Sequence, residues 1–370
     1  MPSVSVIVPI FNGSSYMPLF FDSLAAAMPE GAQLILVDDG STEPVWNVVP
    51  EIPRAGSVER LVNDTNLGYS VAVNRGFQAA SGEVIVQLNT DLVLQPDCIT
   101  AMVELIGRER DVGIVGSKLI YPTTDRVQHV GMAYGNLTKH RIFYGLPPDH
   151  PLCNRSRQLQ IVSGATVAMS RRALEAIGPL DEAYFNRNED IEHCMRALEH
   201  GFRNFLCADS VAYHWRSQSG PARLARVLEG DSLFWTRWGS SCRPDLDRFV
   251  DEALDEVTER FPQLEGTPFR ILDLTRNADQ AIVTERLAAR WPYAQRRDYR
   301  QMNHGMWSLW LPLVLPHGLA EEPVPFIYLV DGYRELEENA LWFETRKRVV
   351  ADELVVDSNA VAIHTSELRR

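Results

Sequence analysis

Along the first half of the chain, short apolar runs alternate with longer amphipathic stretches, the pattern of a parallel sheet covered by helices. The runs at 4–9, 34–38, 58–62, 84–88 and 112–116 are predicted strands, and 15–27, 69–80 and 96–108 are predicted helices. In the last of these, Pro96 takes a first-turn position where a missing N–H does no harm, and Ile99, Val103 and Ile106 keep one face apolar. A second series begins later. An acidic helical stretch at 249–260 stops at Phe261-Pro262, and a boundary follows near 266–268. Strand-like runs at 269–274, 326–330 and 354–356 then alternate with helical patterns at 281–290 and 335–348. The chain therefore reads as an α/β domain over 1–225, a helical connector over 226–265 and a smaller C-terminal α/β domain over 266–370.

Composition narrows the class. The 370 residues, 45% of them hydrophobic, suffice for two cores. A formal net charge of -13 argues against nucleic acid or anionic lipid as a general partner, because both select basic surfaces. Cys98, Cys153, Cys194, Cys207 and Cys242 are odd in number and lack C-x-x-C spacing, so they read as reduced thiols of a cytoplasmic protein. The chain enters its first strand at Val4 without a signal-peptide pattern, so secretion is not expected. The apolar run at 307–315 is shorter than the roughly 20 residues of a spanning helix and contains Pro312; it reads as core, with peripheral membrane contact as the alternative.

Polar residues collect where the strands end. Pro9 and Asn12 follow the first strand, Asp38 and Asp39 end the second, and Asn89, Thr90 and Asp91 end the fourth. In open α/β sheets ligands bind beyond the carboxyl ends of strands, so these three groups could share one crevice. Each has a plainer explanation by itself. Asp38 to Ser41 has the residues of an ordinary turn, and Asp91 fits a solvated loop. No G-x-G-x-x-G follows the first strand and no P-loop is present, which leaves a divalent cation bound by carboxylate as the way to meet phosphate. Asp190 stands before a helical pattern of Ile191, Cys194, Met195 and Leu198, where an aspartate makes a good N-cap.

Taken in order, Val4-Ser5-Val6-Ile7-Val8-Pro9 with Asn12, Leu36-Val37-Asp38-Asp39-Gly40-Ser41, Asn66-Leu67-Gly68 through Asn74-Arg75-Gly76, and Leu88-Asn89-Thr90-Asp91 resemble family-2 glycosyltransferases of the GT-A fold. Val162-Ser163-Gly164-Ala165, Gly178-Pro179-Leu180-Asp181-Glu182 and Asn188-Glu189-Asp190 continue the series to about residue 220, most like the rhamnosyltransferase-like branch. The resemblance implies a Rossmann-like nucleotide-diphospho-sugar transferase domain that inverts the anomeric centre. It implies a donor site of Pro9, Asn12, Asp38, Asp39, Asn66, Gly68, Asn74, Asn89 and Thr90, with Asp39 on the base. It further implies a manganese or magnesium ion on Asp91 and His214, with Arg216 or Arg223 available to phosphate. Asn89 stands where relatives often carry a second aspartate. By the same resemblance Ser163 and Gly164 fall on the acceptor side, where glycine permits close backbone approach, and Asp190, with Glu189 beside it, is implied to be the catalytic base. A sugar hydroxyl needs such a base, worth about 10²–10⁴ in rate.

Outside that resemblance, a lone histidine such as His214 is commonly structural, and Trp215, Trp235 and Trp238 read as core rather than sugar platforms. The expected partners are a UDP- or dTDP-sugar donor and a hydroxyl-bearing glycan, glycolipid or natural product. The C-terminal domain is left to acceptor recognition or self-association by its position alone. A nucleotidyltransferase is the alternative, although Phe11 to Ser15 lacks the basic residues a triphosphate loop carries. A glycoside hydrolase would use paired carboxylates without a nucleotide. A catalytically silent sugar-nucleotide-binding protein has no need of Asp190 and Asp91, both of which are present.

Overall fold

The structure is a computed structural model that describes residues 2–136, 138–185, 187–215, 227–276, 280–300 and 309–368. The chain forms two compact units. The first holds residues up to 132 together with 147–242; the second holds 133–146 together with 243–370.

The first unit is organised by β1 (Val4–Ile10), α1 (Met17–Ala27), β2 (Ala32–Asp38), β3 (Ala55–Val62), α2 (Tyr69–Ala79), β4 (Val84–Leu88), β5 (Leu92–Leu94), α3 (Cys98–Arg108), β6 (Val112–Tyr121) and β7 (Arg126–His129). After a short pair, β8 (Met132–Tyr134) and β9 (Lys139–Arg141), which apart from Met132 belongs to the second unit, the first unit continues with β10 (Arg157–Leu159), β11 (Thr166–Ser170), α4 (Arg171–Ile177), α5 (Glu189–Glu199), β12 (Arg203–His214) and α6 (Val227–Trp238). Strands β3-β2-β1-β4 are parallel; β1, β2 and β4 carry the buried runs of Val, Ile and Leu expected where both faces are covered, whereas β3 is an exposed edge strand. β1 is buried along its whole length, and α1 packs Phe20, Phe21 and Leu24 into the same core.

The expectation of a wholly parallel sheet fails beyond β4. β11 lies antiparallel between β4 and β6, and β6 in turn pairs with β12, so the sheet is mixed. The helix expected at 96–108 begins at Cys98, with Asp97 at its cap, so Pro96 precedes it rather than occupying its first turn. Trp238 is buried as expected, but Trp215 and Trp235 are about two-fifths exposed, because they stand on a strand end and on the outer side of α6.

The second unit has α7 (Leu246–Arg260), β13 (Arg270–Asp273), α8 (Gln280–Arg290), β14 (Gln295–Asp298), α9 (Leu311–Val314), β15 (Phe326–Val330), α10 (Ala340–Lys347), β16 (Leu354–Asp357) and β17 (Ala362–His364). Its sheet runs β14-β13-β15-β16-β17, parallel except for β17. The stretch read as a connector divides. Residues 227–242 belong to the first unit, whereas α7 belongs to the second, where Arg286 pairs with Asp247 and Arg290 with Asp255. Segment 133–146 joins the second unit through Phe143 N–H donating to the Asn359 carbonyl (2.7 Å) and through Tyr134 and Asp245. Among the described residues no helix is long and apolar enough to cross a membrane.

Candidate active site

Three loops at the carboxyl ends of β1, β2 and β4 meet as the sequence pattern implies. Asn12, in the left-handed region at φ 54°, donates its backbone N–H to Ser41 Oγ (2.8 Å). Its Oδ1 accepts from the Thr42 N–H (2.8 Å). Asp38 closes its own turn by accepting from the Ser41 N–H (2.9 Å). Pro9 is buried in β1 opposite Val37.

Asp39 is buried and receives three hydrogen bonds, from Asn63 Nδ2 (2.7 Å), Leu67 N–H (3.0 Å) and Gly68 N–H (2.9 Å). Its carboxylate therefore fixes the loop that opens α2. Gly68 is required there twice over: its φ is +102°, and a Cβ would stand 2.9 Å from the Phe185 ring. Asn66 is exposed on that loop. Asn74 faces the opposite way and is buried, its amide bound to the Leu180 backbone and to Glu182 Oε1 (3.0 Å).

At the end of β4 the pairing of β5 with β12 sets His214 opposite Leu92 and so beside Asp91. Asp91 Oδ1 lies 3.4 Å from His214 Nε2. Gln128 fixes the ring: its Nε2 donates to the His214 carbonyl (3.0 Å), which turns its Oε1 toward His214 Nδ1 (2.5 Å). His214 Nε2 is thereby directed at the carboxylate. Thr90 is buried, its hydroxyl bonded to Tyr16, whose phenol is raised above the ordinary range by burial and then by the charges of Asp91 and Glu43. Arg216 and Arg223 lie outside the described residues.

Asp190 is not the N-cap of α5. The helix starts one residue earlier because Asn188 adopts the left-handed conformation (φ 66°) and takes the cap position, which leaves Asp190 inside the first turn. Its Oδ2 accepts from the Gly164 N–H (2.8 Å) and its Oδ1 from the Ile191 N–H (2.8 Å). A Cβ on Gly164 would come within 2.6 Å of the Asp190 Cβ, so only glycine permits this approach. Ser163, the neighbouring acceptor-side residue, is partly exposed. Glu189 is buried and lines a small internal cavity with Tyr69, Gln87, Asp190 and His193.

Tyr69 joins these groups, and the sequence pattern passed over it. Its hydroxyl donates to Asn89 Oδ1 (2.7 Å) and accepts from Gln87 Nε2 (2.6 Å), which also donates to the Gly164 carbonyl (3.0 Å). The phenol is held well above its usual range by burial first, then by the charges of Glu189 and Asp190, with Asp91 also contributing. Thus the Asp91 strand end and the Asp190 helix start act on one side chain, and the Asn89 oxygen is engaged by that phenol. Gln87 was detectable as a lone amide in a short predicted strand; a polar group in such a place needs a partner.

Among the described residues no three His, Cys, Asp or Glu side chains form a ready-made metal cage. Asp91 and His214 are a pair suited to a divalent cation, a hard carboxylate oxygen beside an imidazole held in place from behind. Such a pair leaves further coordination positions to substrate oxygens.

A mixed α/β sheet with polar groups gathered beyond its strand ends, and a smaller α/β sheet after it, defines the two-domain GT-A class. Residues 5–178 match the family described as glycosyl transferase family 2. An uncharacterized glycosyltransferase of Nostoc sp., alr2836, is 30% identical over 66% of this chain and 79% of its own length. The uncharacterized protein y4gI of Sinorhizobium fredii is 30% identical over 64% of this chain, and the O-antigen biosynthesis protein RfbC of Myxococcus xanthus is 29% identical over 65%. The chain belongs to glycosyl transferase family 2. It spans 28% of the length of y4gI and 19% of that of RfbC.

Proposed function

We propose that the chain is an inverting glycosyltransferase that moves a sugar from a UDP- or dTDP-sugar to a hydroxyl of a glycan, glycolipid or natural product. The observation that carries this reading is the seating of Asp190. Two backbone N–H groups orient its carboxylate, it remains partly exposed, and each oxygen keeps a lone pair for an acceptor hydroxyl. As that hydroxyl attacks, Asp190 takes its proton, and with no protein nucleophile involved a single displacement inverts the anomeric carbon. Glu189, buried beside it and lining the same pocket, belongs to the catalytic group in this reading.

On the donor side, Asp38, Asn12 and Asp39 shape the loops that would receive the nucleotide, and the exposed Asn66 can reach it directly. Asp91 and His214 would hold manganese or magnesium, which neutralises charge gathering on the departing diphosphate. Asn89, engaged by Tyr69, contributes to alignment of the site. The ordered motifs favour the rhamnosyltransferase-like branch. None of the five cysteines forms a disulfide, which supports a cytoplasmic setting, with attachment to the inner membrane face and self-association through the second unit as further parts of the proposal.

The test is calorimetric titration of the protein with a panel of nucleoside diphosphates, with and without manganese or magnesium. One nucleotide should bind, and more tightly with metal. No binding under any condition would overturn the reading.

A further inference from the structure

The loop before α5, described at 181–185 and 187–188, connects the two sides of the site. Its Phe185 carbonyl accepts from the Tyr69 N–H (3.2 Å) and its Tyr184 carbonyl from Ser70 Oγ (2.9 Å), both at the start of α2. At its far end it delivers Asn188, Glu189 and Asp190. Helix α6 grips this loop at both ends. Asp231 receives Arg187 through two parallel bonds, Nε to Oδ1 (3.0 Å) and Nη2 to Oδ2 (2.8 Å), and its Oδ1 also accepts from Asn188 Nδ2 (2.8 Å). Six residues further along, Arg237 pairs with Asp181, and its guanidinium lies 6.0 Å from the Tyr184 ring centre. Gly230 lets the helix come close; a Cβ there would stand 3.0 Å from the Arg187 carbonyl oxygen.

We infer that Asp231 is a positioning residue for Asp190, and that it acts by holding Asn188 in the left-handed conformation from which α5 starts. The argument is conformational. A non-glycine residue at positive φ is disfavoured unless its surroundings impose it. Asn188 sits at φ 66° at the cap position with no side-chain cap bond to α5, and its Nδ2 donates to Asp231. If Asn188 relaxed to negative φ, the first turn of α5 would rotate. The Asp190 carboxylate would then leave the Gly164 N–H. The two charge-assisted bonds from Arg187 make the anchor firm, because a bidentate guanidinium–carboxylate pair fixes direction as well as distance. Asp231 thus acts through Asn188, and Arg237 holds the other end of the loop.

This inference rests on the assignment of Asp190 as base, so its test uses a readout independent of turnover. Amide hydrogen exchange of the full chain is followed at Gly164, whose N–H reports the seated Asp190 carboxylate, and at Glu192, whose N–H donates to the Asn188 carbonyl (2.8 Å). Asp231→Ala should speed exchange at both amides by about tenfold or more while leaving β4 unchanged. Adding Asn188→Gly should restore protection, because glycine adopts positive φ without help. Unchanged exchange at Gly164 in Asp231→Ala would overturn the inference, and so would failure of the glycine to rescue it. Asp190→Asn assayed for turnover in parallel judges the base assignment alone: full activity there would remove that assignment and leave the exchange result standing.

Discussion

Asp91 Oδ1 and His214 Nε2 face each other across 3.4 Å, with both side chains about one-eighth exposed. The pair exists because a three-residue strand, β5, runs antiparallel to the end of β12, and because Gln128 holds the imidazole from the other side. A carboxylate and an imidazole in this relation share a cation readily, and the residue behind the imidazole tunes the grip. Asp91→Ala and His214→Ala should each abolish the manganese-dependent gain in nucleotide affinity. Gln128→Leu should reduce metal affinity by about ten- to a hundredfold. Titration calorimetry at fixed nucleotide measures both, and an unchanged metal response in Asp91→Ala would mean that another group holds the ion.

Asp190→Asn keeps the shape of the side chain and its oxygen for the Gly164 N–H, but removes the carboxylate proposed as the base. Turnover should fall by about 10²–10⁴ while nucleotide affinity holds. Gly164→Ala should give the same split, because a methyl group there collides with the Asp190 Cβ and displaces the carboxylate. Parallel loss of nucleotide binding in either variant would contradict the assignment.

His193 carries a pH dependence of stability. Burial, followed by the charge of Arg196, lowers its pKa from 6.5 to about 4, although its Nε2 meets the Gly178 carbonyl at 3.0 Å. Between those values the unfolded chain binds a proton that the folded chain does not, so stability rises with pH through this window. The stabilisation is complete above about pH 6.5 and is lost on acidification toward pH 4, on the order of 3 kcal/mol. Thermal melts of wild type and His193→Gln from pH 4 to 8 should converge in slope above pH 6.5 and diverge below it. Parallel curves throughout would refute the prediction.

In the second unit Arg346 and Glu353 form a buried ion pair at 2.6 Å, and Arg346 also donates to the carbonyls of Leu319, Glu322 and Val324. Arg346→Met leaves Glu353 charged in the interior, with the Tyr328 hydroxyl (2.9 Å) and the Phe326 N–H (3.2 Å) as its remaining partners. The loss should be about 3–5 kcal/mol in denaturant melts, and Arg346→Met with Glu353→Leu should recover part of it. A double variant no more stable than the single one would assign the loss to packing and the carbonyl bonds.

Much of the first unit was legible because its signal is local. Val4, Ile7, Ile35, Val37, Val84 and Val86 mark strands buried on both faces, and their parallel pairing follows from the helices between them. The place of β11 was not legible, since nothing in Thr166 to Ser170 states which strands it will separate. β14 was missed for a different reason: Gln295, Arg296, Arg297 and Asp298 are all exposed and charged or polar, so no apolar run announces them. At the site, Asp39, Asp91 and Asp190 stood out by residue type and order. Their partners did not, because Tyr69, Gln128 and Asp231 act through pairings that only the folded chain creates. The left-handed turn at Asn188 likewise depends on tertiary contacts rather than on its neighbours in sequence.

The short β8–β9 segment has a consequence for biosynthesis. Residues 133–146 are threaded into a unit whose remaining strands all come after Arg243. The ribosome therefore releases them roughly a hundred residues ahead of their partners, an interval on the order of ten seconds at ordinary elongation rates. Phe143, fully buried in the finished protein, has neither Phe249 nor the Asn359 carbonyl available during that time. The segment therefore acquires its buried setting only after the later strands have emerged, so the second unit completes its folding after synthesis has passed residue 359. No single scission separates the units either, because a cut at 242 removes the segment's destination and leaves the segment behind.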